Sequence, residues 1–398
     1  MKYLAPSSVP FTFYLAAAVA IAPLSTDMYL STFPAIAHDF KASAADVQLT
    51  LSTFTFGIGI CQLLYGPVTD RFGRKPVLLF GLFLYVIASV GCFMAGSIHQ
   101  LIGFRFLQAL GICASVVIPR AMVRDLFLRE AAAKQLSRMG TIMGLAPAIA
   151  PVMGGYLAII YGWQAIFVFL ALFAILTALT TLFLVGESIP KRDHNALRPA
   201  HILRNFRALL MHREFLGFSL AAGLCFGGLF SFLSGSPLVL IEVFDIKSEH
   251  FGYFFSMVVV GFMSGTLTGP VMSARRDIYF SVRIGTFAAA IGGGTMMLLA
   301  FAGVNHIAAV VGPMILYTFG MGVVLPQSQA GGMAPFPEKA GAASALMGFM
   351  MLGLAALLGY LVAYFYDGTQ ISMTTSIGIM GLTSALSYRL VLDRRIKN

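Results

Sequence analysis

Twelve apolar runs, each about twenty residues long and joined by short polar connections, constrain this chain more than any other feature. They lie near 11–33, 47–69, 76–96, 100–122, 138–161 and 164–186, then near 215–241, 251–273, 281–303, 307–329, 341–365 and 371–391. A run of that length is what an α-helix needs to cross the hydrocarbon of a bilayer, where every backbone N–H and C=O has to be satisfied within the segment. The expected fold class is therefore an all-α integral membrane protein of twelve transmembrane helices. With 58% of its 398 residues hydrophobic and 11% charged, the chain does not read as a water-soluble domain. Before Phe11 no charged stretch leads to a small-residue cleavage site, so the first run reads as a retained span and not as a signal peptide.

The formal charge of +10 would suit nucleic acid, but the placement of the charges decides otherwise. Of the 26 Lys and Arg, Lys41 and Lys247 fall on outer loops and Arg105 within a span; the tracing puts the others on inner loops and termini. Basic residues accumulate on loops that are not translocated, which predicts a multi-pass membrane protein with both termini in the cytoplasm. The expected partner at this point is the lipid bilayer, with no nucleic acid, and the chain is expected to act as a monomer. Cys61, Cys92, Cys113 and Cys225 lie inside apolar runs and the seven histidines show no ligand spacing, so no disulfide, metal site or cofactor is expected.

The most specific connection is Gly66-Pro67-Val68-Thr69-Asp70-Arg71-Phe72-Gly73-Arg74-Lys75-Pro76, a charged turn between spans two and three. Arg71, Arg74 and Lys75 mark the inner face, Gly73 relaxes a tight backbone, and Pro76 suits the first turn of a helix, where an N–H would lack a partner. Asp70 closes a helix whose dipole does not favour a negative charge, so it is expected to answer to the neighbouring arginines or to the N-terminus of another helix. Gly269-Pro270-Val271 ends the eighth span as Gly66-Pro67-Val68 ends the second, followed by Arg275, Arg276 and Asp277 as a degraded copy of the turn. With the longest connection at about 187–214, this predicts two six-helix bundles in a parallel repeat, spanning 1–186 and 215–398. In that connection Ile202, Leu203, Phe206, Leu209 and Leu210 recur at helical spacing opposite arginines, in a segment that also holds Lys191 and Arg192. The spacing predicts a helix lying in the inner interface; the alternative is a solvated linker.

Asp27 is the only acid well inside a span. A carboxylate there costs roughly 2.5–3.5 kcal/mol on insertion scales, so it should face a cavity, and burial favours its neutral form, as a proton carrier requires. The alternative is a carboxylate hydrated near the outer end. Arg105 is its expected counterpart. Sixteen residues of helix, roughly 24 Å, bring Asp27 to a depth similar to that of Arg105, roughly 8 Å below the outer surface. Gln108, Ile112 and Ser115 share the Arg105 face of the fourth span, and a polar stripe pointing at lipid would be costly, so the stripe is expected to line the cavity. An arginine reaching to the outer headgroups is the alternative. In the fifth span Pro147, Pro151, Gly154 and Gly155 predict a kink and close helix contact. Gln327 beside Pro326 in the tenth offers a further polar group to the cavity. The second half carries no charge deep in its spans and should supply an apolar wall of Phe and Met.

These residues carry a family likeness over nearly the whole chain. The turn from Gly66 to Leu78 resembles the loop between spans two and three of the major facilitator superfamily. Arg105-Phe106-Leu107-Gln108 resembles the fourth-span motif of its proton-driven antiporters, with Ala109 where glycine is usual, and the fifth-span run resembles the antiporter motif, with Ala150 in place of glycine. With Ser25-Thr26-Asp27-Met28-Tyr29-Leu30 and Ala340-Gly341-Ala342-Ala343-Ser344-Ala345-Leu346, the chain resembles the bicyclomycin/chloramphenicol-resistance group of drug:H⁺ antiporters.

The resemblance implies alternating access by two rocking bundles, with spans one, four, seven and ten around the site, which puts Tyr29 at the cavity. It also implies that Asp70 faces the N-terminus of the eleventh span near Ala340 to Ser344, with Arg71 and Arg74 completing a latch between the halves. The expected function is proton-coupled export of small amphipathic compounds. A facilitator-type carrier of a metabolite is the alternative on the same fold. An intramembrane enzyme is disfavoured, because the spans hold no paired carboxylates, ligand cluster or nucleophile–base pair.

Overall fold

The computed structural model describes residues 3–6, 8–127, 129–189, 192–194 and 196–392, so Lys191 lies outside the described residues. Among these, the ordered elements are helices in the sequence α1 (Val9–Leu30), α2 (Phe33–Phe40), α3 (Ala44–Phe72), α4 (Arg74–Phe93), α5 (Ile98–Leu126), α6 (Arg129–Tyr161) and α7 (Ala165–Leu184). The second series is α8 (Pro199–Leu210), α9 (Arg213–Pro237), α10 (Ser248–Arg275), α11 (Ile278–Phe301), α12 (Ile307–Met333), α13 (Ala340–Tyr364) and α14 (Ile371–Ser387). Eleven of the described helices are long and apolar enough to cross a membrane. The remaining expected span, 138–161, falls in α6, whose stretch Ala146–Tyr161 is apolar.

The helices start where the sequence supplies an acceptor for their orphan N–H groups. Ser8 accepts from the Phe11 amide, Ser97 from that of Gln100, and Asp277 from that of Phe280. Ser43 and Asp46 form a reciprocal capping box at the start of α3. Two features differ from the sequence expectation. The first run breaks after Leu30, and the chain restarts as the short α2, which ends at Lys41 in the left-handed region with φ 49°. Helix α3 also runs on through Gly66, Pro67 and Asp70 to Phe72, so the expected eleven-residue turn contracts to Gly73 between α3 and α4. Gly73 has φ +105°, a conformation that L side chains rarely adopt.

In the first series α5 packs against α3 and α4, α4 against α7, and α1 against α6. In the second, α11 packs against α12 and α14, α10 against α12, and α9 against α13 and α14. Two long seams join the series, α3 along α13 and α6 along α10. Small residues permit the closest approaches, as in other membrane bundles. A Cβ on Gly111 of α5 would come within 2.6 Å of the Gly81 carbonyl of α4, and Gly320 of α12 stands against Gly285 of α11 in the same way. Helix α8, in the connection between the series, packs on α13 and α9. Below, the end of the molecule carrying the Gly73 turn is called the basic face.

Candidate functional site

A cavity of about 380 Å³ lies between the two series of helices. Its second-series wall is apolar, with Phe226, Phe230, Phe255, Phe262, Met321 and Met351 among its residues. The first series contributes its charged groups, Asp27 from α1 and Arg120 from α5. Thr26, Thr55, Gln62, Gln329 and Ser344 add neutral polar groups. Asp27 is 6% exposed, and its carboxylate makes no hydrogen bond or ion pair among the described residues. Such a group lacks the partners that hold most buried carboxylates in their charged form, and its open side faces the cavity.

Arg105 does not share that cavity. It is fully buried, with its guanidinium carbon 4.0 Å from the Phe54 ring centroid, 4.7 Å from that of Tyr29 and 5.9 Å from that of Phe167. Its two terminal nitrogens donate to Gln108 Oε1 at 2.6 Å and to the Ser25 carbonyl at 3.2 Å. Gln108 donates onward to Ser89 Oγ of α4 at 2.8 Å. Ser25 Oγ also meets the Tyr85 hydroxyl at 2.5 Å. Among the described residues no carboxylate pairs with Arg105.

The physical reason is the turn of α1. At about 100° per residue, Ser25 and Tyr29 share one face, while Asp27 lies about 200° round from Ser25. The first face meets α5 and its arginine; the second opens on the cavity. The expected cavity residues Tyr29, Gln108, Ile112 and Ser115 are accordingly buried inside the first series and do not line the cavity. The α5 stripe that does line it is Val116 and Arg120, one helical turn apart. Gln327 is also turned away, accepting from Ser273 Oγ of α10 at 2.6 Å, while Gln329 two residues on reaches the cavity. Position in the sequence alone groups Arg120 with the inner-face charges, and so misses it as a cavity residue. Helix α5 continues to Leu126 and holds it within the helical stretch.

The proline and glycine run of α6 packs on α1 at Met28, the residue after Asp27. Pro147 lines the cavity, and both Pro147 and Pro151 lie inside one continuous helix. Gly154 and Gly155 are buried, and a Cβ on Gly154 would come within 2.2 Å of the Met28 carbonyl of α1. On its other side α6 meets α10, where Gly252 packs on Val152 and Ser256 Oγ donates to the Ala148 carbonyl at 2.7 Å. At the fourth-span motif, Ala109 faces Gly57 of α3, whose added Cβ would come within 2.7 Å of Ala109 Cβ. Close approach is preserved there by a glycine on the opposite helix.

At the basic face the Gly73 turn is knitted into the first series. Arg74 pairs with Asp70 at 2.6 Å and with Asp125 of α5 at 2.9 Å, and donates to Thr69 Oγ1. Glu187 accepts from the Arg74 and Lys75 amides, so it, and not Asp70, supplies the carboxylate at a helix N-terminus. Lys75 Nζ donates to the Leu182 and Val185 carbonyls, at the end of α7 and just beyond it. Arg71 lies over the Phe72 ring at 5.5 Å. No hydrogen bond or ion pair joins Asp70, Arg71 or Arg74 to Ala340–Ser344 among the described residues, so the expected latch is not engaged in this conformation. Gly66, in helix, has nothing within 4 Å of an added Cβ.

The opposite face is where the series close on each other. Gln48 Nε2 of α3 donates to Ser234 Oγ of α9 at 2.6 Å, and the Tyr156 and Tyr253 hydroxyls of α6 and α10 meet at 3.2 Å. Asp27 lies towards this sealed end, and Arg120, Gln329 and Ser344 lie towards the basic end of the cavity. No group of three or more His, Cys, Asp or Glu among the described residues could hold a metal ion.

Known proteins share this architecture. The sequence profile described as "Major Facilitator Superfamily" matches residues 15–391. The chain is 30% identical over 377 residues to a "Bicyclomycin resistance protein homolog" of Haemophilus influenzae, covering 94% of each chain. It is 29% identical over 380 residues to "Multidrug resistance protein MdtL" of Escherichia coli, covering 94% of this chain and 93% of the relative. Among solved structures it is similar to a bacterial homolog of the human lysosomal transporter Spinster, with TM-score 0.75, 14% identity and coverage of 98% and 97%. It is likewise similar to the xylose transporter XylE from E. coli, with TM-score 0.73, 15% identity and coverage of 96% and 97%. At these identities the two structures bear on the fold alone.

Proposed function

Since the chain belongs to the Major Facilitator Superfamily, we propose that it exports small amphipathic drugs across the bacterial inner membrane in exchange for protons, by alternating access. The halves 1–186 and 215–398 rock about the cavity, with 187–214 as their connection. The basic face is cytoplasmic, because Lys and Arg concentrate there, and both termini lie on that side. The conformation described is then open to the cytoplasm: its seals are at the opposite face, and the Asp70, Arg71 and Arg74 cluster is disengaged from α13. In the other state these residues, with Gly66, Gly73 and Lys75, latch the cytoplasmic face.

One observation carries this reading. Among the described residues a single carboxylate, Asp27, stands without a hydrogen-bond or ion-pair partner on the wall of the cavity between the halves. In this reading the carboxylate carries the proton, and a substrate entering the cavity competes with that proton. Arg105 does not pair with Asp27; through the Ser25 carbonyl and the Tyr29 ring it fixes the helix that presents it. Pro147, Pro151, Gly154 and Gly155 hold α6 against α1 beside the same carboxylate.

Everted membrane vesicles test the exchange. Respiration acidifies their lumen, and uptake of an exported compound in exchange for protons raises the lumenal pH. Ethidium, chloramphenicol and naphthylacetate provide a cationic, a neutral and an anionic probe. The wild type is expected to raise lumenal pH with at least one of them. Asp27→Asn is expected to abolish the response while the protein remains in the membrane at wild-type level. An undiminished response from Asp27→Asn would remove the assigned role.

A further inference from the structure

Arg120 is a cation that no acid among the described residues neutralises. It is exposed by surface area, but what it is exposed to is the cavity between the halves. It makes no hydrogen bond and no ion pair among the described residues. The other charged residue on the cavity wall, Asp27, lies far along the cavity. Counting helix rise, Asp27 is roughly 27 Å from the Val9 end of α1 and Arg120 roughly 9 Å from the Leu126 end of α5, so their depths differ by roughly 18 Å. The nearest acid along the chain, Asp125, is held by Arg74 and Ser188 and lies on another face of α5. Arg124, one turn towards the basic face, adds a like charge beside Arg120.

A guanidinium between membrane helices with neither a carboxylate nor the rings and carbonyl oxygens that hold Arg105 is costly unless a counter-charge arrives, and its planar donors match the two oxygens of a carboxylate or phosphonate. At the same end of the cavity the second series offers the neutral polar groups Gln329 and Ser344, with apolar and aromatic surface beyond them, and no charged residue of that series lines the cavity. We infer that Arg120 receives the acidic group of an exported compound, so that the substrates include amphipathic anions bearing a carboxylate, phosphonate or sulfonate. Their apolar body lies along the Phe and Met wall, and Arg124 lends positive potential to the entrance. This rests on the export reading above and assigns it a substrate class.

The test is direct binding to the full chain in phosphatidylcholine nanodiscs, by titration calorimetry with naphthylacetate and its neutral isostere naphthylacetamide. The wild type is expected to bind the acid about ten- to hundredfold tighter than the amide, the range of a charge-assisted hydrogen-bonded pair. Arg120→Gln is expected to erase that preference and Arg120→Lys to keep part of it. Should Arg120→Gln fail to yield monodisperse protein, the reduced but still acid-favouring ratio of Arg120→Lys carries the result. Equal binding of acid and amide by the wild type, no binding of the acid, or a preference that survives Arg120→Gln would each overturn the inference. Exchange of protons for chloramphenicol in vesicles separates the two readings. If it persists while the acid preference is absent, only the role of Arg120 falls; if no probe is exchanged, the export reading falls with it.

Discussion

Arg105 illustrates how a bundle interior can hold a cation with no carboxylate beside it. Three aromatic rings present their negative faces, and an amide and a carbonyl oxygen accept its N–H groups. Lysine cannot reproduce this, because its ammonium lacks both the plane that stacks on Phe54 and the forked donors. Arg105→Lys is therefore expected to lower unfolding stability by about 1–2 kcal/mol, measured by thermal unfolding in detergent. Asp27 and Arg120 belong to the opposite class, charged groups with their open side on a cavity. That Asp27 faces a cavity was legible from sequence, since a carboxylate in an apolar run is too costly to leave against lipid. Its neighbours were not legible, because depth along a helix is easily counted while azimuth depends on how α1 packs. The offset of two between Ser25 and Asp27 holds the signal that separates them, but only once Ser25 is known to face α5. Arg120 was hidden because its place near the inner end of the fourth span groups it with the inner-face charges, while the azimuth that turns it to the cavity depends on how α5 packs.

At the scale of helices, glycine has two different meanings here. In α6, Gly154 lets the backbone of α1 approach at Met28, next to Asp27, and a methyl group there has no space. Gly154→Ala is expected to cost about 1–3 kcal/mol and to reduce export, because it pushes α6 off the helix that presents the carboxylate. In α3, Gly66 meets nothing, so Gly66→Ala should leave stability unchanged or raise it by about 0.5–1 kcal/mol in this conformation. Thermal unfolding of the two variants side by side decides the matter. A Gly154→Ala protein as stable as the wild type would show that the contact is not tight. The close-packing role of the proline and glycine run was readable from sequence; the partner helix was not. Likewise the turn at Gly73 was readable as a turn, yet its carboxylate cap comes from Glu187, more than a hundred residues away in sequence.

The whole molecule is asymmetric between its two faces. At one face the halves are sealed by Gln48 of α3 on Ser234 of α9 and by Tyr156 of α6 on Tyr253 of α10, while at the other the charged turn is satisfied within its own half. Fold class and the count of spans followed from apolar length and the satisfaction of backbone polar groups, which lipid enforces locally. Which state the halves adopt is not local; it depends on small differences between two sets of contacts. In the proposed exchange, alternating access is coupled to protons only if one group changes its protonation as substrate comes and goes. The most direct measurement is proton release in weakly buffered detergent solution near neutral pH, on adding the compound exchanged best in the vesicle assay. Wild-type protein is predicted to release protons in step with binding, and Asp27→Asn to bind without releasing any. Equal release by both proteins, or binding by the wild type with no release, would contradict the assignment of Asp27 as the coupling carboxylate.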